Sequence, residues 1–304
     1  MFEYIRRKKF ISILITILII GGVAVAMWSY FSKGSVPAKV VATRIAFKSE
    51  NFVKPTELVN EYQPLTPGMQ LIRAGSTEVG SRKVPHQIIS TVTDVVRTID
   101  GVEAIAVLDQ SEDSGEIAQV GFDYLAIDKD RNIWILGGYT EDYEGGQYTN
   151  VDNAFLGGSA GGEVGILIPA VVTKDTPRWF IGSPGPTEEA SVAEPQEVGL
   201  DLKVAYGEFH NVRAIVEGAT TAIDNEIKYY APGVGVILNI PKDKSLHQDD
   251  FELVNVVQLS PKGLAEASQV VLNLEEHAKT VAPTVYGNVP KAQRLTKMET
   301  STTK

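Results

Sequence analysis

"EIKYYAPGVGVILNI", residues 226–240, is strand-like on both sides of a Pro-Gly pair. In an extended chain Ile227 and Tyr229 point to one face and Lys228 and Tyr230 to the other. Pro232 and Gly233 suit the two central positions of a type II turn, and Gly235 admits a bulge or a close backbone approach. The stretch therefore reads as two paired strands with a bend that lets a sheet curl. Its tyrosines and glycines serve shape, and nothing in it demands catalysis.

Short apolar runs of the same kind recur on both sides, among them "MQLIRAG", "VEAIAVLDQ", "RWFIGS" and "FELVNVVQL". They are rich in Val, Ile and aromatics and bounded by Gly, Pro, Asp or Asn, as strands are. "FDYLAIDKDRNIWILGG" predicts a hairpin turning at "DKDRN", and "VAYGEFHNVRAIVE" one turning at "GEFHN". "SPGPTEEASVAEPQEVG", 183–199, reads as an exposed loop. Helical periodicity waits until 261–281, where Ser260 is an N-cap candidate and Pro261 suits the first helical position. The fold class expected is mostly β, a curled antiparallel sheet of half-barrel form, with a C-terminal helix and an N-terminal transmembrane helix.

The N-terminus supplies that last element. "RRKK" at 6–9 precedes Phe10–Phe31, 22 residues without a charge, which at ~1.5 Å per residue match a bilayer core of about 30 Å. Basic residues before the apolar run keep residues 1–9 in the cytoplasm and send the rest across the membrane. Segment 10–31 reads as a single-pass anchor, with Trp28 and Tyr30 at the outer boundary. The alternative is a signal peptide cleaved near Ala26, which would release a secreted protein. Residues 32–61, with Pro37 and Pro55, read as a stalk, 62–260 as the extracytoplasmic β domain, and 282–304 as a disordered tail.

The chain has no cysteine among its 304 residues, so disulfides, thiolate metal sites and lipid-modified cysteine are excluded. Without residues 1–31, which carry four basic side chains and Glu3, the formal charge moves from −10 to −13. Such a surface disfavours nucleic acid as a partner. Export without disulfides points to a bacterial or archaeal envelope.

"KYYAPGVGVI", with "YGEFHNVRAIVEGAT", "YQPLTPGMQLIRAG" and "FDYLAIDKDRNIWILGG" upstream, resembles a family of uncharacterised bacterial exported or membrane-anchored proteins with a late Tyr-Ala-Pro-Gly-Val-Gly motif. The resemblance covers roughly residues 62–260. A similar tyrosine-plus-Pro-Gly ending occurs in envelope proteins with the half-barrel of the outer-membrane lipoprotein carriers. That likeness implies an apolar concave face able to hold a lipid or acyl chain, and it transfers no catalytic residues.

Candidate chemistry is sparse. Gly157-Gly158-Ser159-Ala160-Gly161 matches the nucleophile-elbow pattern, with Asp201 or Asp224 and His247 or His277 following in order, but "EVGILIPAVV" after it reads as a strand where a helix is required. A Gly-rich turn is the better reading. Asp128, Asp130 and Asn132 alternate as in the first half of a calcium loop, yet Ile133 and Tyr139 stand where its glycine and glutamate belong. The default is a solvated hairpin tip. Tyr124, Trp134, Trp179, Tyr229 and Tyr230 are the candidate lining of a binding face. The expectation is a non-enzymatic, membrane-anchored protein without a cofactor, binding an apolar ligand or an envelope partner on its sheet; a structural module of the envelope is the rival.

Overall fold

A computed structural model describes residues 42–79, 82–185, 188–219, 225–243 and 250–295. The apolar segment 10–31 lies outside them, as do residues 32–41 of the expected stalk, His247, Asp224 and residues 296–304. Among the described residues no helix is long and apolar enough to cross a membrane.

The strands are β1 (Phe52–Val53), β2 (Met69–Val79), β3 (Arg82–Ile99), β4 (Val102–Asp113), β5 (Glu116–Asp128), β6 (Ile133–Glu144), β7 (Gln147–Leu156) and β8 (Glu163–Ile168). They continue with β9 (Trp179–Ser183), β10 (Ser191–Val204), β11 (Gly207–Ala219), β12 (Glu226–Ala231), β13 (Gly235–Pro241), β14 (Asp250–Gln258) and β15 (Gln293–Arg294). Two helices follow β14, α1 (Pro261–Val281) and α2 (Pro283–Tyr286).

Neighbours pair antiparallel in the order β5-β4-β3-β2-β14-β13-β12-β11-β10-β9-β8-β6, and β6 pairs back with β5, so twelve strands close into a barrel. This corrects the half-barrel expectation. The late β14 adds beside the early β2, which joins the two halves of the meander and leaves no open edge there. Gly75 permits this seam, because a Cβ on it would lie 1.8 Å from the Asp250 carbonyl oxygen. At the opening stretch, Val234 N donates to the Ala231 carbonyl at 3.3 Å and Gly233 has φ +76°, the turn its sequence predicts. A register shift follows between Tyr229 and Tyr230 against β13.

Period-two alternation divides each strand between the barrel interior and its outer face. Along β5, Asp123, Leu125 and Ile127 face inward, and Phe122, Tyr124 and Ala126 outward. Cross-strand register carries the inward set around the wall: Ile105 opposes Leu125, and Val107 opposes Asp123. Ile105, Leu125, Ile127, Ile133 and Ile215 fill one end of the interior with buried apolar side chains.

The outer face of β3 to β6 is covered by α1. Ser260 caps it, its side chain accepting from Gly263 N at 3.2 Å, with Pro261 first in the helix. Val271, Leu274 and Ala278 are buried against the barrel. Polar contacts fix the register of this docking. Arg97 Nε donates to Glu275 at 2.8 Å, Tyr124 hydroxyl bonds the same carboxylate, and Ser268 Oγ donates to Asp94 at 2.7 Å. Tyr139, Tyr143 and His277 each reach the buried Glu141 at 2.6 Å.

Several boundaries differ from those expected. Residues 42–61 pack on the barrel, where Phe47 and Phe52 surround Trp134 and Thr43 bridges Trp179. The run 183–199, expected as a loop, contributes the start of β10, which pairs both β9 and β11. The β10–β11 turn falls at Ala205 and Tyr206, ahead of "GEFHN". Bulges along β10 bend this hairpin over the outside of β12 to β14, where Tyr206 N meets the Leu253 carbonyl at 3.0 Å. Residues 282–295, expected in a disordered tail, form α2 and β15, and β15 pairs β3. Tyr286 anchors them by donating to the Gly138 carbonyl at 2.9 Å.

Candidate functional site

The other end of the interior is charged. Arg73 on β2, Asp109 on β4, Asp123 on β5 and Glu226 and Lys228 on β12 line a cavity of about 270 Å³, with Phe251 as an apolar wall. A hollow of about 370 Å³ shares Ser111 and Gln119 with it and opens toward the β4–β5 and β6–β7 turns, past His86, Asp113 and Asp142. β5 and β12 stand on opposite walls of the barrel, so the cavity spans the interior.

Strand register builds this arrangement. Leu71, Ser90, Asp109 and Gly121 oppose one another in sequence across β2 to β5, and Arg73 lies one inward step away, opposite Ile88. Arg73 and Asp109 both bond Ser90 Oγ, and the two charges approach to 3.8 Å. On the far wall Lys228 Nζ sits 3.0 Å from Glu217 and 3.9 Å from Glu226, and Tyr230 donates to Glu217. Asn239 lies between Lys228 and Phe251 on the same inward face.

Burial sets the protonation of these groups. It pushes the Asp123 carboxyl up to about 7, helped by Asp109 and opposed by Lys228. Glu217 holds the Lys228 ammonium above its usual value against the cost of burial. Burial lowers Arg73, and Asp109 partly restores it. No described residue hydrogen-bonds the Asp123 carboxylate. Arg73 Nε and both amide atoms of the fully buried Asn239 also lack partners. Buried polar groups are almost always satisfied, so such a cluster marks a place for water or a ligand.

A second, apolar cleft of about 330 Å³ lies where β8 and β9 splay and Thr43 enters between them. Ile45, Ile166, Pro169, Trp179 and Phe180 line it. The indole nitrogen of Trp179 is buried without a partner.

The residues singled out in the sequence are scattered. Trp179, Asp130 and Asn132 meet at the apolar cleft. Tyr230 borders the polar cavity through Glu217, whereas Tyr229 packs with Leu200, Ala214 and Ile227 on the outside of the barrel. Tyr124 is buried beneath α1 and Trp134 among Phe47 and Phe52, and neither lines the interior cavity or the apolar cleft. Ser159 Oγ donates to the Val285 carbonyl at 2.9 Å in the turn between β7 and β8. Asp128 accepts from Asn132 N, Asn132 Nδ2 and Trp134 Nε1, which commits its oxygens to the hairpin turn. Arg73, Asp109, Asp123 and Asn239 are not evident from the sequence; their signal is a charge or amide inside an otherwise apolar strand.

No family model and no curated protein matches the chain. Among solved structures it is similar to a candidate lipoprotein from Parabacteroides distasonis, at 13% identity and TM-score 0.38, covering 66% of this chain and 100% of that one. It is also similar to a candidate exported protein with a YmcC-like fold from Bacteroides fragilis, at 11% identity and TM-score 0.36, covering 68% and 99%.

Proposed function

We propose that this chain is an exported, membrane-attached binding protein that holds a small polar ligand in its barrel without covalent chemistry. Export rests on the basic cluster and apolar run at the N-terminus. Ligand binding rests on one observation: an interior cavity lined by charges, in which Asp123 and Arg73 Nε have no hydrogen-bond partner among the described residues. A barrel evolved only as a solid spacer has no use for such groups, because each costs folding free energy until something satisfies it.

An apolar ligand has separate support in the cleft beside Trp179, which has the size of a small-molecule site and an indole donor with nothing to bond. One experiment separates the two. A screen of small polar and apolar compounds by amide and indole NMR should shift Asp123, Asn239 and their neighbours if the interior binds, and the Trp179 indole if the cleft does. A screen that moves neither set would count against both.

A further inference from the structure

The interior charges do not cancel. Arg73 is matched by Asp109 through Ser90, and Lys228 by Glu217 and Glu226. Asp123 remains as a carboxylate that no described residue bonds, facing Glu226 and a Lys228 already engaged by Glu217. An anionic ligand would meet this excess as repulsion. A neutral one would leave the half-buried Asp123 carboxylate uncompensated beside Asp109 and Glu226. Among the described residues no three acidic or imidazole side chains converge as metal ligands do. The unsatisfied amide of Asn239 adds a donor and an acceptor on the same face, and Phe251 offers an apolar surface.

We infer, on the reading that the interior cavity is the binding site, that its ligand is a small organic cation whose primary ammonium group sits between Asp123 and Asp109, with its carbon chain against Phe251. The ammonium's three N–H donors match the lone pairs that Asp123 and Asp109 present, and charge-assisted bonds of this kind are the stronger class. The cavity's modest volume limits the ligand to a few carbons beyond the amine.

Binding of such a cation depends on pH through the site. A primary amine stays protonated across pH 5.5–8.5. The groups facing Asp123 are Asp109 from β4, Arg73 from β2, and Glu226 and Lys228 from β12. With Asp123 titrating at about 7, its ionised fraction rises roughly 30-fold between pH 5.5 and 8.5, and affinity rises with it.

The test is isothermal titration calorimetry on the full chain in detergent, with 1,4-diaminobutane and the uncharged 1,4-butanediol as probes, at pH 5.5 and 8.5. The diamine should bind roughly 30-fold more tightly at the higher pH, the diol should not bind, and Asp123→Asn should abolish both the affinity and its pH slope. Asp123→Asn relieves a buried charge, so failure to fold is not the expected outcome, and its thermal unfolding is recorded alongside. Diol binding equal to that of the diamine, or a diamine affinity that survives Asp123→Asn, would overturn the cation assignment and leave the cavity reading standing. Absence of binding by either probe also overturns the assignment. The cavity reading falls with it only if the NMR screen finds no interior shifts.

Discussion

Asp123 shows how one residue couples folding to function. Its carboxyl is held near 7 in the folded protein, against 3.8 for the free side chain. The folded state thus keeps a proton that the unfolded chain releases, and the stability this confers is complete below about pH 4 and lost as pH rises to 7. Asp123→Asn should therefore stabilise the unliganded protein at pH 8 by about 1–4 kcal/mol and leave it unchanged near pH 4. Denaturant unfolding at the two pH values reads this directly, and an equal effect at both would refute it. Substitution at Lys228 acts in the other direction: Glu217 favours its charged form, so Lys228→Met should destabilise by leaving Glu217 buried without its cation.

Helix α1 was legible in the sequence because caps and periodicity are local. Ser260, Pro261 and the apolar face were read from neighbours a few residues apart, and the turn at Pro232-Gly233 was read the same way. The cavity was not, because Arg73, Asp109, Asp123 and Lys228 are brought together by closure of strands far apart in the chain. Only the alternation within "EIKYYA" hinted at it, by putting Lys228 and Tyr230 on one side. Trp134 and Tyr124 misled for a related reason: an aromatic on a strand looks the same whether a helix, a preceding segment or a ligand covers it. How α1 is held is testable. Leu274→Ala should cost about 2–4 kcal/mol through the cavity it leaves. Glu275→Ala should cost about 3–5 kcal/mol by stranding Arg97, which is 5% exposed. Unchanged denaturation midpoints for both would mean that the helix is not docked as described.

Across the whole molecule the decisive feature is closure. Pairing of β2 with β14 turns an open meander into a barrel and gives the charged residues a common interior to face. Gly75→Val would force a side chain into the Asp250 backbone and should part that seam. Hydrogen exchange should then accelerate in β2 and β14 while β4 to β6, held by α1, stay protected. Protection that survives in β2 and β14 would argue against the seam.

The central claim is that the closed interior is a binding site. Native mass spectrometry of the full chain, released gently from membranes, tests it most directly when paired with Ser111→Trp, which places a bulky ring where the cavity meets its mouth. The wild-type protein should carry a small additional mass that the variant lacks while remaining folded. A wild-type protein that carries nothing, or a bound mass unaffected by the variant, would contradict the claim.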